Sequence, residues 1–288
     1  MRYKTKGSLA FEIIVHIIMI LVVFACIVPF IYMFALSTSS MSAIINNKVG
    51  LLPVGFNFNA YVKIFEYPDF FKAYGNTIFY TVFGTIISLF VSLVFTYPLS
   101  KTFLRGRKLV MTLVIIAMYF NVGFVPTYML INALGITKTV FAMLIPFAFN
   151  PFNMIILVNF LQALPEEIEE AAIIDGMGYF GILWRIVTPL STPVIATVGL
   201  YTAVFFWNDW FNGLLYLNNR LQPVMLILRN IVLGSANAGD AAGSGEKMTM
   251  EMSAKSAVIL VSVIPIIVLY PFLQRFFVKG LTIGSVKG

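Results

Sequence analysis

The chain has one cysteine and one histidine in 288 residues. Cys26 has no partner for an internal disulfide, and the two residues cannot assemble the Cys/His sets that hold zinc. Charge is also scarce. Asp, Glu, Lys and Arg make up 11% of the chain, against about 25% in soluble domains. The apolar runs contain no aspartate pair and no H-E-x-x-H, which removes the intramembrane enzymes built on those groups. No acidic residue falls clearly in the middle of a run, as the alternative of an ion-gradient-driven secondary transporter subunit would require. Gly243-Ser244-Gly245-Glu246-Lys247 lacks the G-K-[ST] ending of a phosphate-binding loop and follows no strand, so ATP handling falls to another chain.

What remains is mostly apolar. Hydrophobic residues are 60% of the chain, in runs that reach the ~20 residues a helix needs to cross a bilayer. The runs are unbroken rather than alternating, which excludes a transmembrane β-barrel. The fold class read here is all-α integral membrane. Residues 1–288 form a single transmembrane domain with spans at about 10–36, 77–99, 109–131, 140–161, 189–210 and 256–277. Arg2, Lys4 and Lys6 precede the first run, which is too long for a signal-peptide core and is read as an uncleaved span.

The net charge of +7 reflects topology, not nucleic-acid binding. With a cytoplasmic N-terminus, the inside segments hold 11 of the 19 basic residues: Arg2, Lys4, Lys6, Lys101, Arg105, Arg107, Lys108, Arg185, Arg275, Lys279 and Lys287. Both termini are then cytoplasmic. Loops 37–76 and 211–255 lie outside, the second with a short helix at 224–232 followed by a mobile glycine-rich stretch. Loop 162–188 lies inside.

That inner loop holds five of the 12 acidic residues: Glu166, Glu167, Glu169, Glu170 and Asp175. Pro165 suits the first turn of a helix, and the glutamates that follow suit its positive end. Ile168, Ala171 and Ala172 are spaced to share an apolar face. Gly176 can turn the chain, and Tyr179–Ile186 resumes as a second short helix. The pattern predicts helix, sharp turn, helix along the membrane surface, with carboxylates free for a basic partner.

The order Glu170-Ala171-Ala172, Asp175-Gly176, then Ile186 and Pro189 resembles the EAA signature of permease subunits of bacterial ABC importers, and in particular the maltose-type carbohydrate branch that handles complex oligosaccharides. It departs at Met177, where alanine is usual, and at Thr188, where leucine is common. Thr96-Tyr97-Pro98-Leu99-Ser100-Lys101 with Phe103-Leu104-Arg105-Gly106-Arg107 is similar to the family's A-Y-A-L-A-R-x-x-F-R-G-R. Asn76-Thr77 resembles the polar pair opening its second helix. The resemblance implies the type I importer permease fold. It also implies a second, different permease, a pair of ATPase subunits that bind ATP and Mg, an extracellular solute-binding protein, and a sugar as cargo. Glu170, Ala171, Ala172, Asp175 and Gly176 would be the residues that dock the ATPase. No cofactor would be bound by this chain itself, and its place would be the bacterial cytoplasmic membrane.

Polar and aromatic residues at membrane depth are candidates for the sugar path: Tyr119, Asn121, Asn150, Asn153, Trp207, Asn208 and Asp209. Aromatic faces stack on sugar rings, and amides and carboxylates bond their hydroxyls. The competing reading is hydrogen bonding between helices plus an interfacial aromatic belt.

Overall fold

A computed structural model describes residues 6–120, 122–239, 252–269 and 271. Every regular element among them is helical. In chain order these are α1 (Lys6–Thr38), α2 (Met41–Ile45), α3 (Asn59–Phe65), α4 (Phe70–Ser100), α5 (Arg107–Tyr119), α6 (Phe124–Ala133), α7 (Phe141–Leu144), α8 (Pro151–Gln162), α9 (Glu166–Ile174), α10 (Tyr179–Ile182), α11 (Thr188–Leu190), α12 (Thr192–Asn208), α13 (Phe211–Tyr216) and α14 (Val224–Gly239). A further helix, α15, covers Met252–Leu269. Asn121, the motif at 243–247 and the end of the sixth expected span lie outside the described residues.

Among the described residues, three helices are long and apolar enough to cross a membrane: Phe11–Thr38 of α1, α4 and α15. The third and fourth expected spans are interrupted, and the fifth is bent where it begins. The third divides into α5 and α6. The fourth divides into α7 and α8, because Pro146 cannot continue α7 while Asn150 and Pro151 start a new helix. The fifth bends by 83° at Ser191, between the stretch Tyr179–Leu190 and α12. Apolar runs set the length of chain that can be buried; Pro146 and the Asn150-Pro151 start set the break in the fourth, whereas Pro29 and Pro98 lie inside α1 and α4. The short helix expected at 224–232 is present and, as α14, runs on to Gly239.

The chain divides into two units, residues 1–68 with 228–265, and residues 69–227 with 266–288. In the first, α3 packs on the end of α1, where the Tyr61 hydroxyl meets Ser37 Oγ at 2.8 Å. The second unit is built on α4, which lies along α12 and α8. Between helices in lipid there is little hydrophobic driving force, so close packing and hydrogen bonds must hold them. Thr77, Thr81, Gly84, Ser88, Ser92 and Thr96 recur every three or four residues along α4 and form a small, polar stripe. The start of α4 pins residues 220–224: the Asn76 amide donates to the carbonyls of Arg220 (3.0 Å) and Gln222 (3.1 Å), Tyr80 donates to Leu221 (2.8 Å), and Thr77 Oγ1 accepts from Val224 N–H (2.8 Å). The polar pair noticed in the sequence therefore closes a loop.

Candidate functional site

The loop at 162–188 folds as helix, glycine turn and helix. Pro165 stands at the N-cap, one residue before the first turn of α9, with Glu166, Glu167 and Glu169 at the positive end of the helix. At the other end Gly176 takes φ +79°. Its N–H donates to Ile173 O (2.9 Å), and the N–H of Met177 donates to Ala172 O (2.9 Å). This is the Schellman closure, and Met177 packs on the apolar cluster that holds Ala172, as that motif asks. Pro189 offers no N–H, and just ahead of it the helix widens into one π turn, Leu183–Val187. Thr188 closes that turn by donating Oγ1 to Leu183 O at 2.8 Å.

The expected apolar face of α9 is displaced by one residue. Ile168 and Ala171 are exposed, and the inward residues are Glu169 and Ala172. Ala172 is packed with Tyr97, Leu161, Ile182, Leu183 and Val187. Glu169 is also engaged within the chain. Its Oε1 pairs with Lys101 Nζ at 2.5 Å, and its Oε2 accepts from the Tyr97 hydroxyl at 3.0 Å. The Lys101 ammonium also lies 5.0 Å from the centre of the Tyr97 ring. A carboxylate turns inward because two groups at the end of α4 satisfy it. Glu166, Glu167, Glu170, Ala171, Asp175 and Gly176 remain exposed. Arg107 Nε donates to Leu99 O at 2.8 Å and caps the same end of α4. Two segments read separately in the sequence thus form one structure.

A cavity of about 300 Å³ opens where the fourth span is broken. It is lined by Asn150 and Asn153, by Phe147, Phe149 and Phe152 around the break, by Ser88 of α4, and by Tyr201, Thr202 and Phe205 of α12. Non-helical backbone at membrane depth is tolerated where it lines a cavity. Asn150 Oδ1 caps α8 by accepting from Asn153 N–H (3.2 Å). Asn153 Nδ2 donates to Thr202 Oγ1 (3.1 Å), a bond between helices. Ser88 is buried, and its hydroxyl has no protein partner.

The other predicted path residues lie elsewhere. Tyr119 is 79% exposed, and Asn208 is exposed. Trp207 is buried edge-on to Tyr74, ring centres 5.6 Å apart. Asp209 accepts from the N–H and side-chain amide of Asn212 at 3.1 and 2.9 Å and holds the start of α13. Tyr97, Lys101, Ser88, Tyr201 and Thr202 were not among the expected site residues. Their signals were the quoted motif for the first two and the hydroxyl stripe of α4 for Ser88.

Helix α4, long and apolar enough to cross a membrane, borders with α8 and α12 a cavity with polar and aromatic walls, the architecture of a membrane transport protein. The chain belongs to the family of binding-protein-dependent transport system inner membrane components, which it matches over residues 100–283. It is 42% identical over 264 residues to Protein LplC of Bacillus subtilis (strain 168), covering 91% of this chain and 90% of that one. It is 39% identical over 282 residues to the polygalacturonan/rhamnogalacturonan transport system permease protein YtcP of the same organism, covering 96% and 98%. The fold superposes with a TM-score of 0.83 on a chain of a bacterial ABC transporter involved in the import of the acidic polysaccharide alginate, at 32% identity, covering 96% of this chain and 100% of that one. The protein is an ABC permease subunit, a membrane part that is not itself an enzyme.

Proposed function

We propose that this chain carries oligosaccharides across the bacterial cytoplasmic membrane, as one of two different permeases around a shared path. The cavity beside the broken fourth span carries this reading. Phe147, Phe149, Phe152, Tyr201 and Phe205 supply ring faces for sugar C–H edges, and Asn150, Asn153 and Ser88 supply groups for sugar hydroxyls. The names of the relatives for polygalacturonan, rhamnogalacturonan and alginate transport support the same cargo class. Six spans, cytoplasmic termini and a cytoplasmic loop at 162–188 complete the reading. An ATPase pair holding ATP and Mg docks on α9 and the turn after it, at Glu170, Ala171, Asp175 and Gly176, with Ala172 packed behind them. An extracellular binding protein delivers the sugar.

The test is uptake by the reconstituted transporter, with recovery of the ATPase on the purified permease pair as a parallel readout. Ser88→Ala removes a hydroxyl that no protein group uses, so the fold stays intact. We expect KM for uptake to rise about threefold or more. Asn153→Ala also removes one bond between helices, worth about 0.6 kcal/mol in lipid. That small loss leaves assembly unchanged, and we expect uptake to fall about tenfold. Unchanged kinetics in both variants would take the sugar out of this cavity.

A further inference from the structure

The inward face of α9 is held by polar and apolar contacts to the same few residues. Glu169 engages Tyr97 and Lys101 with both carboxylate oxygens. Ala172, one turn further on, packs in the apolar cluster that also holds Tyr97. The Lys101 and Glu169 side chains are only 17% and 12% exposed, so neither is a solvated surface charge. Tyr97 belongs to α4, and Lys101 is its C-cap. Ser88 of the cavity lies nine residues back on the same helix, about 13 Å away at 1.5 Å per residue. The chain grips α4 a second time through Trp184 in the π turn, which stacks on Phe90 with ring centres 5.6 Å apart and an interplanar angle of 13°. Trp184 also packs on both the cluster around Ala172 and the cluster of Leu93, Leu157, Val194 and Val198. The opposite face of α9, with Glu166, Glu167, Glu170 and Ile174, is bare.

We propose that Tyr97, Lys101 and Glu169 are positioning residues for coupling: they tie α9 to α4, so that a push on the bare face of α9 moves α4 with it and reaches the cavity wall at Ser88. This rests on the docking role proposed above for α9. A rigid helix anchored at its end transmits displacement along its axis, whereas a loosely attached surface helix would absorb it. An interaction made only to keep α9 folded would leave the transport stoichiometry alone, because that stoichiometry depends on whether the two helices move together.

The experiment uses the complete transporter in proteoliposomes, with both permeases, the ATPase and the binding protein. It measures ATP hydrolysed per oligosaccharide imported, at equal complex yield. Glu169→Gln and Lys101→Met keep shape while removing charge, and each is expected to raise the ratio about fivefold or more. The exchanged pair Lys101→Glu with Glu169→Lys is expected to bring it back to within about twofold of the starting value. An unchanged ratio in both single variants would overturn the tie. If the single variants lower complex yield, a chain with Cys26→Ser, Lys101→Cys and Glu169→Cys decides the matter. Joining the two new thiols with a short bifunctional reagent should preserve import if α9 and α4 move together, and should stop it if they must part. A wild-type complex that imports no oligosaccharide or recovers no ATPase would instead overturn the functional reading itself.

Discussion

A permease carrying Gly176→Pro is expected to insert and assemble, yet to import its sugar at about a tenth of the normal rate or less. Gly176 sits at φ +79°, and proline is held near −65°. Its N–H donates to Ile173 O at 2.9 Å, and proline has no N–H to replace it. A left-handed residue other than glycine costs about 1–2 kcal/mol, and the lost hydrogen bond about 0.5–1.5 kcal/mol. Since about 1.4 kcal/mol is a factor of ten in an equilibrium, the turn will open. The damage stays local, because a side chain at 176 would meet nothing within 4 Å and the helices behind it are untouched. What changes is the direction in which α9 leaves the turn. Gly176→Asn tolerates the left-handed backbone and should retain half or more of the uptake. The measurement is uptake at matched complex yield, and equal rates for the proline and wild-type chains would remove the turn from the mechanism.

The second large effect is on assembly. Gly84 of α4 lies against the ring of Phe206 of α12, and a Cβ built there would come 2.4–2.8 Å from three ring carbons. Phe206 is 1% exposed and packed with Tyr80, Met143 and Leu144, so the ring has nowhere to swing. Overpacking of this kind costs about 1–3 kcal/mol. For Gly84→Ala we expect the thermal midpoint of the purified protein to fall by roughly 2–12 °C. Gly84→Val should leave little assembled complex, since α12 would have to move off α4. Phe206→Leu in the Gly84→Ala chain should recover part of the loss. A Gly84→Ala midpoint equal to wild type would show that the two helices are not in this contact.

Tyr97 and Glu169 mark where reading along the chain stops. The helix, glycine turn and second helix at 162–188 follow from rules that act within a few residues: glutamates at a helix start, a glycine at its end, a proline after a widened turn. Those rules could not say which side of α9 faces inward. Ile168, Ala171 and Ala172 were the apolar choice, and on periodicity alone that choice is sound. The side that is buried instead carries a glutamate, because its cation stands 68 residues earlier in sequence. The cavity shows the same limit. Asn150 and Asn153 stand out as amides at membrane depth, whereas nothing local marks Tyr201 and Thr202, which reach the cavity only because α12 passes the break at 145–150.

By itself the amino-acid order determined that this is an apolar, helical membrane protein, that an acidic elbow interrupts it, and where glycine and proline force its turns, because hydrophobicity and backbone preference are properties of short stretches. Only the tertiary structure decided which carboxylate is spent inside the protein, which helices are broken, and which side chains share a cavity. Those outcomes depend on partners far apart along the chain, and their energies exist only once the helices are packed.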